Sequence, residues 1–144
     1  AQKYFALLSL TTFLGFIFFS SISIGAIVID MDISIVKITN ISIHLALLGS
    51  VFGCLSFFIG SMTGVKSYSI GIPAAGALIS YLLNAFSSSI TLFDTLKYLS
   101  PFYYYIDKNP LMHGFNLWHM TTLIFIVLIL GLLSLFPFNR RNLT

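Results

Sequence analysis

Residues 41–62, ISIHLALLGSVFGCLSFFIGSM, contain no Asp, Glu, Lys or Arg. A helix crosses the hydrocarbon core of a bilayer, roughly 30 Å thick, with about 20 mostly apolar residues. This stretch has that length, and three others match it: Tyr4 to Ile29, Tyr68 to Ile90 and Leu117 to Phe138. β-Branched runs such as Ile22 to Ile29 look strand-like, but lipid admits only helices and closed barrels. Long continuous apolar runs are not the alternating segments of a barrel. The sequence therefore predicts an all-α fold, a polytopic transmembrane helix bundle of about four spans. A single transmembrane domain covers residues 1–144.

Composition agrees. The 144 residues are 58% hydrophobic and 8% charged, with mean hydropathy +1.00. Soluble domains are about a quarter charged, so a water-facing surface of this size would lack the charge to stay dissolved. Glu is absent, and the acids are Asp30, Asp32, Asp94 and Asp107. The bases Lys3, Lys37, Lys66, Lys97, Lys108, Arg140 and Arg141 form no run or patch. The net charge of +3 thus points to membrane topology and not to nucleic acid. The single Cys54 excludes an intrachain disulfide framework and reads as a packed thiol in an apolar run.

The charges also set the expected orientation. An even number of spans puts both termini on one side, with Lys3, Lys66, Arg140 and Arg141 and no acid. The other side takes the four Asp with Lys37, Lys97 and Lys108. The split is +4 against −1, which makes the formal +3. Excess Lys and Arg stay cytoplasmic, so both termini and the Lys66 turn are expected in the cytoplasm of a cell with this chain multi-pass in its membrane.

Three linkers join the spans: a polar turn from Asp30 to Asn40, a tight turn from Thr63 to Ser67, and a longer segment from Thr91 to Asn116. Within the last, Leu92 to Leu99 (LFDTLKYL) has apolar residues at helical spacing with Asp94 and Lys97 facing away. It reads as a helical segment at the outer interface before the last span. Ser100-Pro101 then stops or restarts the helix. Tyr103, Tyr104, Tyr105 and Trp118 suit an aromatic belt at headgroup level, or contact with a substrate.

Gly49, Gly53, Ser56 and Gly60 share one face of the second span. Small side chains let backbones approach closely in lipid, so this stripe is expected to pack against another helix of this chain or another subunit. Gly71, Pro73 and Gly76 in the third span predict a kink, static or hinged, because proline lacks an N–H and crowds the preceding turn. His44 and His119 fall near the outer ends of their spans, where an imidazole would meet water or a headgroup. With His113 they make no metal set, and no cofactor is expected. Gly64-Val65-Lys66-Ser67 ends like a phosphate loop but lacks its glycine before the lysine and its upstream spacing. No Ser/His/Asp arrangement stands out, so no enzyme is expected.

One block has a family likeness. Ile79-Ser80-Tyr81-Leu82-Leu83-Asn84, then Leu96 to Tyr105 (LKYLSPFYYY), then Asn109-Pro110-Leu111 with Gly114, and the closing Phe138-Asn139-Arg140-Arg141-Asn142 resemble the C-terminal half of ABC transporter permeases of the type-2 exporter class. Asn142 stands where Asp is common in that family. Gly64 to Ser67 stands in for the family's junction between spans. The resemblance covers roughly Ile41 to the end and marks Ser100, Pro101, Tyr103, Tyr104, Tyr105 and Pro110 as the outer-face family block. It implies a permease subunit that exports cargo by alternating access, paired with a second permease subunit as a homo- or heterodimer. An ABC ATPase subunit on the cytoplasmic side would drive it. It also implies that this chain, which opens at Ala1 inside an apolar segment, is the C-terminal part of a longer permease. The alternative is a small stand-alone membrane protein that acts by binding, such as an immunity or assembly factor.

Overall fold

The computed structural model describes residues 2–89, 95–106 and 117–140. Five α-helices hold most of them: α1 (Gln2–Val28), α2 (Ile35–Thr63), α3 (Lys66–Ala85), α4 (Pro101–Ile106) and α5 (Leu117–Arg140). A 3-10 turn, Lys97–Leu99, precedes α4. No strand occurs among the described residues. Every helix except α4 is long and apolar enough to cross a membrane. The all-α bundle follows from the four apolar runs, since each run can satisfy its own backbone groups only as a helix.

Two boundaries differ from the sequence reading. α2 begins at Ile35 and takes in Lys37, Thr39 and Asn40, which were expected in a polar turn. Ser34 is extended, and its carbonyl accepts from the N–H groups of Lys37 and Ile38. Ile38 and Asn40 are buried, so packing carries the helix through residues whose polarity suggested a loop. At the other end of the third span, α3 stops at Ala85 and not at Ile90. Ser87 Oγ donates to the Asn84 carbonyl at 2.8 Å, and short hydroxyl side chains of this kind compete with the helix ladder. Residue 90 lies outside the described residues.

The turns follow from their residues. Asp30 has φ 52°, a left-handed conformation that aspartate tolerates better than most. Gly64 closes α2 with φ 67°, and its N–H returns to the Gly60 carbonyl at 2.9 Å. That is a left-handed glycine cap, and it turns the chain directly into α3.

α2 is the hub. α1, α3 and α5 all pack against it, and α4 touches α2, α3 and α5. Val51 and Cys54 of α2 meet Leu123 and Val127 of α5 in the core, flanked by Tyr4, Leu7 and Leu8 of α1 and by Tyr104. α1 and α3 are more peripheral: α1 buries only Gly15 and α3 only Pro73. Their outer faces display Phe5, Phe13, Phe16, Ile70 and Leu78. Contiguous apolar surface on this scale is foreign to soluble monomers and suits lipid.

Contacts fix the register. Gly15 meets Ala46 and Gly53 meets Leu7, so α1 runs antiparallel to α2. Tyr4, beside Phe57 and Cys54 of α2, meets Val127 and Gly131 of α5. His119 near the start of α5 lies against α4, whose Phe102 packs on Phe52 of α2, so α5 runs parallel to α2. The start of α1, the α2–α3 turn and the end of α5 therefore share one end of the bundle. From His44 to Thr63, α2 rises about 30 Å, one hydrocarbon core. At the same rise, the end of α3 and the start of α5 come level with the region around His44.

Candidate functional site

The expected packing stripe on α2 divides between two partners. A Cβ built at Gly53 would lie 2.9 Å from Leu7 Cδ1, and one at Gly49 would lie 3.9 Å from Thr11 Cγ2. Both therefore serve the contact with α1. Ser56 and Gly60 face α3. A Cβ at Gly60 would lie 3.2 Å from the Ser69 Cβ, and Ser56 Oγ donates to the Ser69 carbonyl at 2.5 Å. Within this chain the four residues thus bring α1 and α3 close to α2. Two further glycines do the same work without belonging to any stripe. Gly15 would put a Cβ 2.8 Å from Ala46 Cβ, and Gly131 of α5 would put one 2.7 Å from Tyr4 Cζ. Their only sequence signal is a lone glycine in an apolar run, which does not name a partner.

Pro73 sits inside α3 and is that helix's one buried residue. A proline at this position leaves the carbonyl four residues earlier, that of Ser69, without its ladder N–H. This is the carbonyl that Ser56 reaches. Gly71 and Gly76 flank the proline on open surface, with nothing within 4 Å of a Cβ built at either.

The segment ahead of the last span is the most connected polar and aromatic feature. Ser100 is extended and 1% exposed. Its Oγ donates to the Ser80 carbonyl of α3 at 2.8 Å and accepts from the Phe102 N–H at 3.2 Å. It therefore starts α4 and ties it to α3 at once, and Pro101 occupies the first helical position, where its missing N–H costs nothing. Phe102 lies between Phe52 of α2, tilted at 5.8 Å, and Tyr81 of α3, edge-to-face at 5.7 Å. Tyr103 and Tyr104 approach the His119 ring of α5 at 5.7 and 5.4 Å. The Tyr104 hydroxyl donates to the Tyr98 carbonyl at 3.0 Å, and Lys97 Nζ lies 5.4 Å from the Tyr98 ring centre. Burial pushes the Tyr105 hydroxyl above its ordinary pKa of 10.0. So Ser100, Pro101, Tyr103, Tyr104 and Tyr105 gather on one short element wedged among three helices, level with the end of α3 and the start of α5. Residues 92–94 and Pro110 of the same segment lie outside the described residues, as does His113.

Both remaining histidines depart from expectation. His44 and His119 are 2% and 7% exposed, so neither faces water or a headgroup. His44 Nδ1 bonds the Asn40 carbonyl one turn back at 2.9 Å, and His119 lies under the tyrosines. No group of three or more His, Cys, Asp or Glu that could hold a metal forms among the described residues. An apolar groove of about 370 Å³ runs beside the α1–α2 crossing, lined by Gly15, Ala46, Gly49, Phe52 and Phe102 among others. It offers no polar grouping for chemistry. The arrangement is one of docking and packing. No family model, curated protein or solved structure matches the chain.

Proposed function

We propose that this chain is a membrane-embedded permease part of an ATP-driven exporter, working with a partner ATPase and a second permease subunit. The observation that carries the reading is the Leu96 to Tyr105 block. It resembles the corresponding block of type-2 exporter permeases, and here it docks as a compact element on α2, α3 and α5 just before the last span. The +4 end of the bundle, with both termini and the Lys66 turn, is the cytoplasmic end in the cell membrane. The chain does not hydrolyse ATP itself. That reaction needs a phosphate cradle, a lysine, a metal-binding hydroxyl and an acid, and the Thr63 to Ser67 turn has no acid at all. Cargo passes by alternating access, driven by the ATPase. The test is co-expression with the ATPase encoded nearest to it. The two should co-purify, and the permease should change the rate of ATP turnover. ATP turnover by the permease alone, or no effect of the permease on any neighbouring ATPase, would overturn the reading.

A further inference from the structure

We propose that α3 is a helix in two pieces, hinged at Pro73 and latched to α2 by the Ser56 hydroxyl. The inference does not depend on the transport reading. Three facts meet at one point. First, Gly71-Ile72-Pro73-Ala74-Ala75-Gly76 is the weakest stretch of helix in the bundle by propensity, with a proline and two glycines in six residues. Second, Pro73 leaves the Ser69 carbonyl without a ladder partner, and its ring crowds that carbonyl outward. Third, Ser56 donates to that same oxygen, while Gly60 allows Ser69 to come near enough for the bond. Ser56 therefore supplies from another helix the hydrogen bond that Pro73 removes. Lys66, Ser67, Tyr68 and Ile70 of this half are all exposed, so it is held to α2 by the Gly64 turn at its start and by the Ser56–Ser69 contact. Beyond the hinge, the Ser80 carbonyl takes the Ser100 hydroxyl, which ties the outer piece to α4. The two pieces of α3 thus have separate anchors, and the break between them is at Pro73. When the Ser56 bond opens, the Lys66 piece, still joined to α2 through the Gly64 turn, pivots away from Ser56 while the outer piece stays docked.

The test measures two distances in the full chain in lipid nanodiscs by paired spin labels. One pair, at Phe5 and Tyr68, reports the inner piece, and the other, at Leu14 and Leu78, reports the outer piece. All four residues are exposed, and buried Cys54 stays in place. Ser56→Ala should add a longer, broader component to the Phe5–Tyr68 distances and leave the Leu14–Leu78 distances unchanged. Adding Pro73→Ala should remove that component, because residue 73 then donates its own N–H to Ser69. An unchanged Phe5–Tyr68 distribution, a change in both pairs, or failure of Pro73→Ala to restore the first pair would overturn the hinge. Should Ser56→Ala fail to fold, Pro73→Ala alone decides. It should slow amide exchange across Ser69 to Ala74 by about tenfold, the effect of one recovered hydrogen bond, and equal or faster exchange would overturn the hinge.

Discussion

Glycines at the helix crossings are not equivalent, and the atoms around them rank them. At Gly15 an added methyl would meet the Cβ of Ala46 at 2.8 Å, a short side chain with nowhere to go, so the α1 and α2 backbones would have to part. At Gly53 the obstruction is the tip of Leu7, which can change rotamer. At Gly25 nothing lies within 4 Å. Gly15→Ala should therefore cost about 1–3 kcal/mol, as overpacking does. Gly53→Ala should cost less. Gly25→Ala should stabilise by about 0.5–1 kcal/mol, because alanine loses less backbone freedom than glycine on folding. Thermal unfolding of the three variants in detergent checks the order, and a Gly15→Ala variant as stable as Gly25→Ala would refute it. The α2 stripe was legible in the sequence because its spacing repeats on one face. Gly15 and Gly131 were not, because an isolated glycine becomes a contact only through register between helices.

At the level of elements, the position of a residue along the bundle axis was readable and its direction around the helix was not. His44 and His119 do fall near the level where α3 ends and α5 begins, as the edges of their apolar runs suggest. Both turn inward, and nothing in those runs could show it: the mostly apolar faces of α2 and α5 are alike until a neighbour covers one. The Ser100-Pro101 break was legible because the chemistry is local: an extended serine caps, and a proline opens a helix. What Ser100 also does, holding α4 to the Ser80 carbonyl of α3, is a contact across twenty residues that no local pattern encodes. Ser100→Ala removes two part-buried hydrogen bonds, to the Ser80 carbonyl and from the Phe102 N–H, which together contribute about 1–3 kcal/mol. Amide exchange of Phe102 to Tyr104 should speed up by about tenfold or more, each 1.4 kcal/mol being tenfold. Exchange in the inner half of α2, near Phe57, should not change. Ser100→Thr, which keeps the hydroxyl, should restore much of the protection, and exchange in Ser100→Ala at the native rate would show that the bond to Ser80 carries no weight.

For the whole molecule, the alternation of apolar spans and the packing contacts give the same division of the charged residues. Alternating the four apolar spans put Lys3, Lys66 and Arg140 on one side of a membrane and Asp30, Asp32, Lys37 and Lys97 on the other. The register of α1, α2, α3 and α5, fixed by contacts such as Gly15–Ala46 and Tyr4–Cys54, puts the same residues at opposite ends of the bundle. No charge pattern was used in that register, so a shifted or inverted helix would have mixed the two sets. The proposed orientation rests on energetics, since Lys and Arg in short loops are retained on the cytoplasmic side. Cysteines placed one at a time at Asp32 and at Ser67 test it in intact cells with a membrane-impermeant thiol reagent. Both sites are exposed, and native Cys54, at 0% exposure, should stay unlabelled and serve as the internal blank. Asp32→Cys should react from outside at once, and Ser67→Cys only after the cells are opened. The reverse pattern would invert the bundle. Labelling of both sites in intact cells would mean that α2 does not cross, because Asp32 and Ser67 lie just beyond its two ends.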